Sequence, residues 1–329
     1  MKPIVSFGEA LIDMLGKTPT EFVANPGGAP ANVAAAAAKL GAEAFFVGKV
    51  GRDAFGDAIR AKLNEAGVRT DFLLATDAGN TALAFVTLNS DGERRFSFYR
   101  ERTADLLIAA DDIPLALLKQ AFCFHFGSLT LTAEPARSAT LHAVRKAREC
   151  GCLISYDPNL RLNLWPNAEL ARERIMELLP LADIIKINEE ELRFLSSGAL
   201  PSEPEKSDPE TLAAALFERY PAQCWLVTLG AAGCLTVTGQ GVARFPGRNV
   251  RAIDTTGAGD AFVGAFLARA AARAGSREAF GELVRNEAEW RRMIEFAVAA
   301  SALSTTAHGA IDSYPDAEQV NRFLQQTSL

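Results

Sequence analysis

The chain is short of histidine: His125, His142 and His308 are the only three. A histidine triad or a zinc centre therefore lacks parts, and His125, inside Phe124–Phe126, reads as a core or strand-end residue. No H-E-x-x-H and no G-x-S-x-G occurs. No G-x-x-x-x-G-K-[ST] occurs, which excludes a P-loop enzyme. No G-x-G-x-x-G follows the first strand-like run, which argues against a dinucleotide dehydrogenase. Apolar runs of membrane-spanning length are missing, so no membrane partner is expected. Basic clusters are missing too, and with a net charge of −6 no nucleic-acid partner is expected. The five cysteines, Cys123, Cys150, Cys152, Cys224 and Cys234, are an odd count with no His or Cys partners at zinc spacing. Cys150-Gly-Cys152 is too tight for an ordinary disulfide, so buried free thiols in a reducing cytoplasm are expected.

What is present suffices for a core. Of 329 residues, 49% are apolar and 22% charged, which suits one large α/β domain, alone or with a small appendage. The N-terminal MKPIVSFGEALIDML reads as a strand and a turn, because Glu9 and Asp13 interrupt any leader-like region. Short apolar runs recur at Ile4–Phe7, Phe45–Val50, Phe122–Phe126, Leu153–Tyr156, Ile184–Ile187 and Trp225–Leu229. Helical patterns such as Leu141–Glu149 and Leu170–Leu179 separate most of them. That alternation predicts a mostly parallel sheet covered on both faces, a three-layer α/β/α fold.

One region breaks the rhythm. Thr81–Arg100 alternates with period two around Ser90-Asp91-Gly92 and reads as a β-hairpin. With the strand-like Ile12–Leu15 and Glu21–Ala24 it forms a small β-sheet lid. The expected partition is a core of residues 1–11, 26–79 and 106–329 and a lid of 12–25 and 80–105. Ala82, Ala84, Val86, Phe96 and Phe98 share one face of the hairpin, which suggests a homodimer paired through the lid. Asn25–Ala42 predicts a helix opened at Ala29 or Pro30 and closed by Gly41. The polar, proline-rich Gly198–Thr211 reads as an exposed loop, and no internal repeat is present.

The exits of the strand-like runs carry the chemistry. They read Gly127-Ser128, then Asp157 to Arg161, then Asn188 to Glu191, then Gly230 and Gly233. Ligands of open parallel sheets lie off these carboxyl ends. Each exit alone could be a turn or a helix cap. Later in the chain, Gly257-Ala258-Gly259-Asp260 precedes a long apolar helix. Bare N–H groups at such a turn form an anion hole. A carboxylate beside it can take the proton of an attacking hydroxyl while a phosphoryl group sits in the hole. Read as structure alone, Asp260 is an acid that favours a helix N-terminus.

The stretch DTTGAGDAFVGAF resembles the C-terminal signature of the ribokinase-like (PfkB) carbohydrate kinases, and GGAPANVAAAAAKLG resembles their N-terminal signature. GEALIDML, GKVGRDAFG, TALAFVTLNSDGERRFSFYR, FHFGSLTL, SYDPNLRLNLW, ADIIKINEEEL and VTLGAAGC are similar to fructokinase segments of that family, in the same order. The resemblance implies the ribokinase-like fold and ATP-dependent phosphorylation of a sugar hydroxyl, O6 of fructose. It makes Asp260 the base and Gly257, Ala258 and Gly259 the anion hole. It places Asp13, Gly27, Gly28, Asn32, Arg100, Asp157, Asn159 and Arg161 around the sugar or the closing lid. Asn188 and Glu191 match the family's N-x-x-E element, which positions Mg²⁺ through water. Thr228, Gly230 and Gly233 would border the nucleotide. Asp254, Thr256, Gly309 and Ser313 match its monovalent-cation loop, usually filled by K⁺.

One departure matters. Glu101-Arg102-Thr103 follows Arg100 where the family has a small polar run, and Arg100 with Arg161 has the chemistry to hold a carboxylate. A kinase acting on 2-keto-3-deoxygluconate, or on another sugar, therefore stays open beside fructokinase. A non-catalytic sugar-binding protein on the same fold should lack the base or the glycines, and both are present.

Overall fold

The computed structural model describes residues 1–18, 20–88, 94–197 and 207–326. Strands β1 (Ile4–Phe7), β2 (Leu11–Gly16), β3 (Phe22–Gly27), β4 (Ala44–Gly51), β5 (Arg69–Thr76), β6 (Ala82–Leu88) and β7 (Arg94–Tyr99) come first. They are followed by β8 (Cys123–Phe126), β9 (Leu153–Tyr156), β10 (Ile184–Asn188), β11 (Cys224–Thr228), β12 (Cys234–Thr238) and β13 (Gly241–Phe245). Every apolar run read as a strand is one. Nine of them form a single sheet in the order β13-β12-β11-β10-β9-β8-β1-β4-β5. The pairs from β11 through β10, β9, β8, β1 and β4 to β5 are parallel; β12 and β13 are antiparallel additions at one edge.

The parallel strands are buried because helices cover both faces. Ile4 of β1 points into one layer, with the helices Ala29–Lys39, Ala258–Arg273 and Glu287–Ser304. Val5 and Phe7 point into the other, with Ala136–Glu149, Ala168–Leu178 and Pro209–Arg219. His125 is a core residue, as its sequence context implies. It lies against Ser155 Oγ at 3.0 Å, and burial lowers its pKa to about 4. All five cysteines are free, and only Cys150 is partly exposed. Among the described residues no helix is long and apolar enough to cross a membrane.

A second sheet has the order β3-β2-β6-β7. β2 pairs antiparallel with β3 and parallel with β6, and β6 pairs antiparallel with β7. The turn read at Ser90-Asp91-Gly92 lies outside the described residues, as does most of the polar stretch after Ser197. The face proposed for a partner is corrected. Ala82, Ala84 and Val86 are buried within the chain, where Ala82 and Ala84 pack with Leu11 and Phe98. The Phe96 side chain lies outside the described residues. Period two shows which residues share a face but not which face turns inward, and methyl side chains suit the close-packed one.

The helix Ala29–Lys39 starts after Gly28, carries Pro30 in its first turn, and stops where Gly41 takes φ +91°. Its alanines let it lie directly on the helix Ala258–Arg273. A Cβ at Gly264 would stand 2.5 Å from Ala36 Cβ and 2.9 Å from Val33 O. Neither helix can retreat cheaply from so close a crossing. Gly264→Ala is therefore expected to destabilise the fold by about 1–3 kcal/mol through overpacking. An unchanged urea midpoint would show that the helices part without cost.

Candidate active site

The Ala258–Arg273 helix begins at Gly257, whose φ of +75° is left-handed. A side chain there would also meet Tyr314 Oη at 2.4 Å and Ala310 Cβ at 2.7 Å, so the turn requires glycine. The first helical hydrogen bond runs from Ala261 N–H to Gly257 O at 2.8 Å. The N–H groups ahead of it open away from the helix, the arrangement that attracts an anion. Ala258 departs from this, since its N–H turns back to Thr255 O at 3.3 Å.

Asp260 stands in the first turn of that helix but does not cap it. Its Oδ2 accepts a hydrogen bond from Asn32 Nδ2 at 2.8 Å. Burial raises its pKa to about 7, the Asn32 bond opposes, and nearby Asp157 adds to the rise. Asp260 borders two cavities at once. The larger, of 730 Å³, holds Asn188, Thr228, Gly230, Gly233, Gly257, Ala258, Gly259 and Lys186 in its wall. The smaller, of 210 Å³, is lined by Glu9, Asp13, Gly28, Asn32, Asn159, Arg161 and Phe98. Gly257, Asn159 and Arg161 also border both.

Carboxyl groups dominate the smaller cavity. Burial raises Glu9 to about 7 against the pull of Arg100, and raises Asp13 to about 6 against Arg161. Glu9 Oε1 accepts from the Ala29 N–H at 3.2 Å, while its Oε2 and Asn32 Oδ1 are buried with no hydrogen-bond partner among the described residues. Gly28 lets the backbone pass close beneath, because a Cβ there would lie 2.6 Å from Glu9 O. Asp13 covers Gly27, with Oδ2 2.7 Å from where a Cβ would stand.

Three of the expected site residues, Arg100, Asp157 and Glu191, do not line either cavity. Arg100 does not reach either cavity. Its Nε binds Asp105 at 2.6 Å, and its two terminal nitrogens bind Thr132 Oγ1 and Leu129 O at 3.0 Å each, all at the root of the second sheet. Asp157 lies behind the wall, paired with Lys186 Nζ at 2.9 Å, and its Oδ1 takes the Asn159 N–H at 3.2 Å. Glu191 spends both oxygens on backbone N–H groups, those of Leu160 at 2.7 Å and Asn188 at 2.8 Å. Asn188 Oδ1 accepts from Glu191 N–H in return, so the pair forms a capping box as well as bordering the site.

Of the four residues expected at a monovalent cation, Asp254, Thr256 and Gly309 come together. Asp254 Oδ1 accepts from Thr256 N at 2.9 Å and Thr256 Oγ1 at 2.7 Å, and its Oδ2 accepts from Gly309 N at 3.0 Å. Ser313 Oγ bonds Ala310 O at 2.9 Å, one residue beyond Gly309. Lys186 is the main residue that sequence reasoning missed. It is buried in β10, and its Nζ lies 3.0 Å from where a Gly259 Cβ would stand. A lysine inside the apolar run Ile184–Ile187 was the available signal.

The pfkB family carbohydrate kinase model matches residues 1–317. Fructokinase-1 of Zea mays is 43% identical over 331 aligned residues, covering 98% of this chain and 98% of its own. The crystal structure of fructokinase with bound ATP from Xylella fastidiosa aligns at a TM-score of 0.92 with 37% identity, over 99% of each chain. A fructokinase double mutant from Vibrio cholerae O395, in a form bound to fructose, ADP and potassium ion, aligns at 0.85 with 32% identity over 98% of each chain.

Proposed function

The chain belongs to the pfkB family of carbohydrate kinases, and on that premise we propose that it phosphorylates the primary hydroxyl of D-fructose with ATP, releasing fructose 6-phosphate and ADP. The observation that carries this reading is Asp260 at the junction of a large and a small cavity, beside a glycine turn of open N–H groups. The sugar occupies the small cavity and the nucleotide the large one. Asp260 takes the proton of the sugar hydroxyl as its oxygen forms a bond to the γ-phosphorus. The bond from that phosphorus to the ADP oxygen breaks, and the turn of Gly257 to Gly259 faces the charge on the group in transfer.

The cavity chemistry favours a neutral polyol. Glu9, Asp13 and Asp260 face it, while Arg100 is committed to Asp105, Thr132 and Leu129. Arg161 alone is a weak counterion for a sugar acid among so many carboxyl groups. Asp13, Asn32, Asn159 and Arg161, with the backbone at Gly27 and Gly28, supply the acceptors and donors that bracket vicinal hydroxyls. Asp157 supports them through Asn159 and Lys186. Residues 12–25 and 80–105 act as the lid that excludes water from the γ-phosphate.

Thr228, Gly230 and Gly233 border the nucleotide. Among the described residues no cluster of three His, Cys, Asp or Glu side chains is arranged to grip a metal directly. Mg²⁺ would be held chiefly by phosphates and water, with the Asn188 amide at the cavity wall and the Glu191 carboxylate behind it as hard oxygen donors. When bound, the ion screens phosphate charge. Asp254, Thr256, Gly309 and Ser313 suit a monovalent cation such as K⁺, which would brace the glycine turn from behind.

A coupled ADP-release assay tests the reading with ATP, Mg²⁺ and K⁺ across fructose, glucose, ribose, adenosine and 2-keto-3-deoxygluconate. Fructose is expected to dominate turnover. Preference for the keto acid would keep the chemistry and overturn the neutral-sugar assignment; silence on every acceptor would overturn both.

A further inference from the structure

We propose that Lys39 is a positioning residue for phosphoryl transfer, holding the segment Ile311–Tyr314 that moulds the Gly257 turn. The inference rests on the reading of that turn as the phosphoryl site. Lys39 lies in the last turn of the Ala29–Lys39 helix, where a lysine ordinarily serves the helix dipole and reaches solvent. Here its ammonium is directed into another segment. Nζ donates to Ile311 O at 2.8 Å and Tyr314 O at 2.9 Å, with a longer contact to Asp312 O at 3.5 Å. An ammonium has three donors, and these carbonyls use them.

The segment that Lys39 gathers is pressed against the glycine turn. Tyr314 is 4% exposed, and its hydroxyl donates to Gly257 O at 3.2 Å. Tyr314 Oη and Ala310 are the atoms a side chain at Gly257 would strike. On the outer side, Asp312 pairs at 2.5 Å with Lys62 of the helix Ala54–Glu65, so the short turn is held from two helices. The Ala29–Lys39 helix thus touches the reacting centre at both ends, through Asn32 on Asp260 at its start and through Lys39 and Tyr314 on Gly257 at its finish. Without the ammonium, three carbonyls would have to find water or move, and Tyr314 would move with them.

The test compares Lys39→Met, Lys39→Arg, Tyr314→Phe and the double variant Lys39→Met/Tyr314→Phe. Lys39→Met and Tyr314→Phe are expected to lower kcat by roughly 10–10²-fold, the cost of a misplaced reacting group. The KM for fructose should stay within about twofold, because the sugar contacts are untouched. The double variant should be no worse than the weaker single, and Lys39→Arg should restore most of the loss. Amide hydrogen exchange at Ala258, Gly259 and Asp260 should quicken in Lys39→Met and Tyr314→Phe, a readout that needs no turnover. A lower melting temperature with unchanged kcat and unchanged exchange would overturn the proposal, as would additive losses in the double variant. If the native protein phosphorylates no sugar, the functional reading fails, while the exchange measurement still decides whether Lys39 orders the turn.

Discussion

Asp260→Asn folds normally and loses roughly 10²–10⁴-fold in kcat, the range expected when a general base is removed. The change is isosteric, and its amide oxygen still accepts from Asn32 Nδ2, so the local geometry survives. What is lost is the site for the proton. The same carboxyl sets a pH dependence. Burial raises its pKa to about 7, so the ionised base is depleted below neutrality and kcat/KM should fall as pH drops through that value. Stability runs the other way. The folded state holds this proton more tightly than the unfolded chain, whose carboxyl titrates near the ordinary value of about 4. The stabilisation is complete below about pH 4 and is lost as pH rises through about 7. Asp260→Asn escapes that loss and should melt at or above the native temperature at pH 8. Native-like turnover in the variant, measured by ADP release, would remove Asp260 from the chemistry.

Lys186→Met is expected to cost about 3–5 kcal/mol of stability, because it strands a buried carboxylate. Lys186 is 6% exposed, and its ammonium meets Asp157 at 2.9 Å. Burial opposes its charge, but Asp157 and Glu191 outweigh that and raise its pKa, so it remains an ammonium. Loss of a cation so close to Gly259 should also lower kcat by roughly 10²–10³-fold, as for loss of a donor to developing charge. Urea denaturation and steady-state kinetics separate the two effects. Adding Asp157→Asn should recover part of the stability but not the turnover. A Lys186→Met protein as stable as the native one would mean that Asp157 does not depend on this partner.

The parallel character of the sheet and the glycine turn were legible because each rests on local pattern, whereas the strand order appears only in the structure. Continuous apolar runs have few homes other than buried parallel strands, and Gly-Ala-Gly-Asp before a helix leaves little choice of backbone. Arg100 was expected around the sugar or the closing lid, and its partners, Asp105, Thr132 and Leu129, include groups about thirty residues away that the sequence does not point to. Sequence shows a guanidinium but not where its charge is spent. The same holds for Lys39 at its helix end, whose carbonyl partners come from residues 311 to 314. β5 was missed because Arg69 and Asp71 interrupt its apolar face; β12 and β13 were missed although Gly239 and Gln240 separate two strand-like runs.

Those same three strands finish the nine-stranded sheet, and its two margins have a bearing on how the protein behaves in a crowded solution. A sheet margin offers unpaired backbone to any passing strand, which is the usual route to aggregation. Here β5 carries the exposed Arg69–Asp71 pair, with Arg60 donating to its Thr70 and Leu73 carbonyls, and β13 carries Arg244 in a 2.8 Å pair with Glu210. A strand arriving from another molecule would have to strip water from those charges before it gained a hydrogen bond. Charge placed at each margin thereby opposes fibre growth on a wide, strongly apolar sheet.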